Sequence, residues 1–93
     1  MNKARLHITV SGIVQGVFFR ATTCDMANEL KLTGWVKNSE DGESVEILAE
    51  GDKKTLEKFL EWCAKGPKGA NVEQINYDWY NFTGEHRGFI IRH

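Results

Sequence analysis

The segment Gly12-Ile13-Val14-Gln15-Gly16-Val17-Phe18-Phe19-Arg20 holds the residue types needed to grip an anion. Its glycines reach backbone conformations closed to other residues. Successive amides in such a loop can converge into a nest, which suits negative charge. A helical periodicity begins at about Phe19, and a helix start adds unpaired N–H groups at the positive end of its dipole. Arg20 closes the segment with a planar, permanently charged fork of donors. Together these make a cradle for a phosphate or a carboxylate. Spacing alone leaves a second reading open, a tight turn followed by a surface arginine.

The elements around the loop decide what can join it. Arg5 to Ser11 alternates, with Leu6, Ile8 and Val10 on one side, and reads as a half-buried strand. Gly12 to Gly16 breaks the alternation and reads as a loop. Phe19 to Leu32 is expected to be helical, with Thr23, Ala27 and Leu30 on one face. Thr33 to Asn38 is a short strand, and Asp41-Gly42 signals a hairpin. Ser44 to Gly51 alternates again through Val45, Ile47 and Ala49. Asp52 can cap a second helix whose stripe is Leu56, Phe59, Leu60 and Cys63, and Gly66-Pro67 ends it. Val72 to Phe82 is a long strand, Thr83-Gly84-Glu85 a turn, and Gly88 to Arg92 a short last strand.

This order predicts an α+β fold, the ferredoxin-like split βαβ sandwich: βαββαβ plus a short C-terminal strand, with an antiparallel sheet and two helices on one face. A helical crossover makes the first two strands parallel, with the third between them. Their carboxyl ends therefore share one end of the sheet. The Gly12–Arg20 segment leaves one of them and Asn38 ends the other, so two distant segments converge.

Composition narrows the partners. The chain has 93 residues, which implies one domain over 1–93. Twelve Lys and Arg against 13 Asp and Glu give a net charge of −1, without the basic excess that nucleic-acid backbone binding needs. Cys24 and Cys63 lack metal-ligand spacing, and His7, His86 and His93 are scattered, so no metal is expected. No apolar run approaches a membrane span and no signal core follows the N-terminus. The expectation is a cytoplasmic monomer with no nucleic-acid or membrane partner. A Cys24–Cys63 disulfide is disfavoured in that compartment.

Gly-x-Val-Gln-Gly-Val-x-Phe-Arg, read from Gly12 to Arg20, resembles the acylphosphatase signature. Gly34-Trp35-Val36-Lys37-Asn38 resembles the second family block, and Asp41-Gly42, Val45-Glu46, Glu50-Gly51, Gly66-Pro67 and Gly88-Phe89-x-Ile91 resemble further landmarks. The hairpin after Asp41-Gly42 is about one residue longer than in many relatives. The resemblance implies hydrolysis of an acyl phosphate to a carboxylate and inorganic phosphate, with no cofactor. It implies that Arg20 grips the phosphate, that the backbone amides of Gln15, Gly16, Val17, Phe18 and Phe19 complete a phosphate-binding loop, and that Asn38 orients the attacking water. Neither block contains Cys, His or Asp, which suits a hydrolase without a covalent phospho-enzyme.

Side chains near the loop have plainer roles to weigh. Gln15 is expected to brace the loop, Lys37 to be solvated, Trp35 to pack, and at least one of Phe18 and Phe19 to enter the core. Two other functions compete with the enzyme. One is a non-catalytic anion- or phosphate-binding accessory domain with the same cradle. The other is an RNA-binding domain of this topology, which would need an exposed aromatic ladder that the first and third strands lack.

Overall fold

A computed structural model describes residues 2–16 and 18–93. The elements run β1 (Lys3–Ile13), α1 (Phe19–Glu29), β2 (Thr33–Asn38), β3 (Ser44–Asp52), α2 (Lys53–Lys65), β4 (Asn71–Asn81) and β5 (Phe89–Ile91). The strands form one sheet in the order β4-β1-β3-β2-β5. The first four pair antiparallel, as the pattern predicts, and β5 adds itself parallel to β2, so the full sheet is mixed. Both β1 and β2 run antiparallel to β3, hence parallel to each other, and their carboxyl ends lie together.

Strand alternation builds the core. Leu6, Ile8 and Val10 of β1 and Val45, Ile47 and Ala49 of β3 are fully buried on the helix-bearing face. Phe19 and Ala27 of α1 and Leu56, Phe59 and Cys63 of α2 cover them. Leu30 and Leu60, expected on the apolar stripes, are half-buried at the edges of the two helices.

The helix ends have local causes. Lys31 turns left-handed at φ 60°, and the amides of Lys31 and Leu32 reach back to the carbonyls of Asn28 and Ala27 at 3.0 and 2.9 Å. This paired arrangement stops α1 three residues before the predicted end. Asp52 caps α2 by accepting from the Thr55 amide, and Gly66 at φ 73° ends it.

Strand β1 is longer than its alternation suggests. A register shift between Ser11 and Gly12 lets Gly12 and Ile13 pair with Val72 and Asn71. Gly12 sits at φ 128°, and a Cβ there would collide with the Asn71 carbonyl oxygen. Gly12 is thus a bulge glycine inside the sheet, and the loop proper is confined to residues 14–18.

Strands β4 and β5 lie on opposite edges, so residues 82–88 must cross the end of the sheet. Glu50 fastens that crossing. Its fully buried carboxylate accepts from the Thr83 amide at 3.0 Å, the Thr83 hydroxyl at 2.9 Å and the Gly84 amide at 3.1 Å. Arg5 lies 3.5 Å from Glu50 and 2.8 Å from Glu85. Burial pushes the Glu50 carboxyl up, but the hydrogen bonds from Thr83 and Gly84 and the Arg5 charge outweigh it and hold it below the usual range. A carboxyl depressed on folding contributes stability above its unfolded value, about 4.3, and loses it as pH falls through the lower folded value. Glu50→Ala is expected to cost about 2–4 kcal/mol at pH 7, because it leaves the Thr83 and Gly84 amides without their acceptor, while Arg5 keeps its pair with Glu85. The deficit should shrink as pH falls from 5 to 3. Urea unfolding at both pH values checks this; a loss below about 1 kcal/mol at pH 7 would mean that Glu50 does not fasten the crossing. No helix among the described residues is long and apolar enough to cross a membrane.

Candidate active site

At the shared carboxyl ends of β1 and β2 lies a cleft of about 310 Å³, lined by Val14, Gly16, Phe18, Phe19, Arg20, Ala21, Asn38, Ile91 and His93. Arg20 and Asn38, 18 positions apart in sequence, thus line one cavity, as the strand order requires.

The loop wall is backbone in an unusual shape. Gly16 lies at φ 74° and Phe18 at φ 59°, ψ 22°, both left-handed. Phe18 occupies the N-cap of α1 but makes no side-chain cap, and the first turn holds no acidic residue. The amides of Gln15, Gly16, Phe18 and Phe19 donate to no acceptor among the described residues. Amides left unpaired at a cleft wall are free to donate to a ligand, and an uncapped helix start favours an anionic one. Val17, the remaining member of the predicted amide set, lies outside the described residues.

The two phenylalanines divide their work. Phe19 is 1% exposed and packs with Trp62, their ring centroids 6.3 Å apart, which anchors the first turn of α1. Phe18 is 83% exposed and stands at the cleft rim. The Thr22 hydroxyl and amide both donate to the Phe18 carbonyl, at 2.9 and 3.0 Å, and hold the left-handed turn.

Gln15 braces the loop, as expected. Its Nε2 donates to the carbonyls of Ser44 at 2.8 Å and Ser39 at 3.3 Å. Those residues belong to the β2–β3 hairpin that immediately follows Asn38. The loop and the asparagine are therefore joined by one side chain. The hairpin is itself tied: the Ser39 amide donates to Ser44, and the Asp41 carboxylate accepts from the amides of Glu43 and Ser44 and from the Ser44 hydroxyl. These hydrogen bonds lower the Asp41 carboxyl from its usual range, the Glu43 amide most.

Asn38 carries a further mark. Its Oδ1 is buried and has no hydrogen-bond partner among the described residues. A buried acceptor left open at the wall of a cleft is an address for a donor from outside the chain.

Ile91 and His93 line the cleft although the sequence did not single them out as site residues. Strand β5 runs parallel to β2, and the Arg92 amide donates to the Val36 carbonyl at 2.8 Å. The chain therefore leaves β5 at the same sheet end as Asn38. The period-two signal was present, because Phe89, Ile91 and His93 share a side. His93 Nδ1 lies 3.4 Å from Arg20 Nη1. Lys37 and Arg92 turn to the opposite face, over the Trp35 ring at 5.4 and 4.9 Å. Cys24 and Cys63 are free thiols, and burial pushes the Cys63 thiol far above its usual range.

Comparisons with known proteins show what the chain is similar to. The acylphosphatase family model matches residues 6–91. An acylphosphatase of Pelotomaculum thermopropionicum is 47% identical over 91 residues, covering 98% of both chains. The crystal structure of the Bacillus subtilis acylphosphatase superposes with a TM-score of 0.91 at 39% identity, over 97% of this chain and 99% of that one. The HypF of T. kodakarensis contains a similar unit: TM-score 0.81 and 36% identity over 97% of this chain, but only 12% of HypF. The same fold thus serves as a small enzyme and as a portion of a larger protein, and the relatives matched here over their whole length are the enzymes. The family model over residues 6–91, the full-length relatives and the fold agree: the chain belongs to the acylphosphatase family.

Proposed function

We propose that this cleft hydrolyses acyl phosphates by gripping the phosphoryl group between Arg20 and the loop amides of Gln15, Gly16, Val17, Phe18 and Phe19, while Asn38 directs a water onto phosphorus. The reaction releases a carboxylate and inorganic phosphate. One observation supports the assignment of roles: Arg20, Asn38 and the loop residues Gly16, Phe18 and Phe19, whose amides donate to no acceptor among the described residues, line the same cavity.

The chemistry asks for little more. The water oxygen bonds to phosphorus as the phosphorus–acyl oxygen bond breaks, and the electron pair leaves on the carboxylate. Carboxylic acids have pKa values of about 4, so the leaving group departs without a general acid. The proton lost by the water passes to a phosphoryl oxygen. Catalysis is then positioning and charge stabilisation, as in other phosphoryl transfers. The Asn38 amide suits its role because its carbonyl accepts from the water while its NH2 donates. The chain acts in this reading as a single domain and as a cytoplasmic monomer without cofactor or metal. The two free thiols fit a reducing compartment. A non-catalytic phosphate-binding role is not favoured, because both Arg20 and Asn38 are in place.

The test is turnover of a simple acyl phosphate, with inorganic phosphate as competitor. Hydrolysis inhibited competitively by phosphate is expected; phosphate binding without hydrolysis would return the reading to a binding module. No side chain is asked to exchange a proton with the reacting atoms, so kcat should change by less than about threefold between pH 6 and 8. A bell with a limb near pH 6–7 in kcat would overturn the water-to-phosphate proton transfer.

A further inference from the structure

His93 is the one lining residue whose chemistry the mechanism leaves unused. It touches the residue that matters most: Nδ1 is 3.4 Å from Arg20 Nη1. A guanidinium has donors only, so in this contact Nδ1 is the acceptor. Among the described residues no carboxylate pairs with Arg20, so the imidazole stands where a counter-charge would otherwise be.

The surroundings isolate this contact. The loop and the end of β2 present no titratable side chain to the cleft, α1 presents only Arg20, and β5 leads to His93, which brings its ring and, as the last residue of the sequence, its α-carboxylate. Lys37 and Arg92 are turned away over Trp35. The other histidines lie elsewhere, His7 3.2 Å from Glu46 and His86 3.5 Å from Glu85.

We propose that His93 is a second, proton-dependent ligand for the anion in this cleft. Before an anion arrives, the neutral ring accepts from Arg20. A tetrahedral dianion seated against Arg20 removes the like-charge cost of protonating the ring and supplies an acceptor for it. The ring then takes up a proton and donates to the anion. Anion binding and proton binding strengthen each other, and linkage makes the effect reciprocal. The proposal rests on the reading of the cleft as the phosphoryl site. It adds that affinity, and not kcat, is the quantity that senses pH.

Sulfate is the suitable probe, since it stays a dianion throughout the range used, whereas phosphate titrates. Its dissociation constant would be measured by calorimetry at pH 5.5 and 8.0 on the wild type, His93→Gln and His93→Lys. The wild type should bind about tenfold tighter at pH 5.5, with proton uptake visible as buffer-dependent heat. His93→Gln should be flat near the wild-type alkaline value, and His93→Lys flat near the acidic one. A wild-type change of less than about twofold, or a slope that survives in His93→Gln, would overturn the role of His93 alone. Failure of the wild type to bind sulfate or phosphate at either pH would overturn the cradle itself, and the proposal with it.

Discussion

Arg20→Ala is expected to lose turnover by about 10³-fold or more, the scale on which a transition-state arginine acts in phosphoryl transfer. In the proposed mechanism the guanidinium would supply a full charge and two parallel donors where the phosphoryl oxygens gather negative charge. Loop amides contribute partial charges, and no other cation lines the cleft among the described residues. The fold should survive, because the only side-chain hydrogen bond of Arg20 among the described residues is the 3.4 Å contact with His93. Unfolding free energies of variant and wild type from urea titration should agree within about 0.5 kcal/mol. Arg20→Lys should fall between them, since it restores the charge but not the planar fork. Near-wild-type hydrolysis by Arg20→Ala, with its circular dichroism unchanged, would place the chemistry elsewhere.

Asn38→Ala should lower kcat by roughly 10²-fold, the typical cost of one oriented transition-state contact. KM should move little, because Arg20 and the amides still hold the phosphoryl group, and loss confined to kcat marks an interaction made in the transition state. The stability readout is as informative. Asn38 Oδ1 satisfies no hydrogen bond within the described fold, so removing it relieves a buried unpaired acceptor. Asn38→Ala should be as stable as the wild type or slightly more so. A variant both slow and much less stable would point to a structural role for the amide. One that keeps kcat would remove water orientation from the mechanism.

Much of this site could be read from residue types and order. The glycines and Arg20 announced an anion loop before a helix, and strand parity with one helical crossover carried Asn38 to the same sheet end. The two family blocks added the roles. Gly12 was less legible: the backbone of β4 presses against it, a contact made 59 positions away at Asn71, and no local pattern reports that. Glu50 stood at a polar position of an alternating strand and is nonetheless fully buried, because residues 83 and 84 close over it. Its burial follows from the crossing of β4 to β5, which is a consequence of sheet order. Strand β5 has three residues, too few for periodicity to fix its neighbour or direction. Its parallel seat beside β2 delivers Ile91 and His93 to the cleft, so these escaped a reading based on motifs.

Those late features make one system with the early ones. Gln15 ties the loop to the hairpin behind Asn38, and Glu50 fastens the crossing that sets β5 and so His93. The cleft is held at its loop wall by backbone shape and at its strand wall by two parallel strand ends. A small sheet can thus align an arginine, an amide and a set of N–H groups with few side chains devoted to catalysis.

The central claim is that a water held by Asn38 attacks phosphorus while the cradle holds the phosphoryl group. Enzymatic hydrolysis of an acyl phosphate in ¹⁸O-labelled water tests it most directly, with mass spectrometry of both products. Attack at phosphorus puts the label in inorganic phosphate and none in the carboxylate. Label in the carboxylate would mean that water attacks the acyl carbon, and would contradict the account.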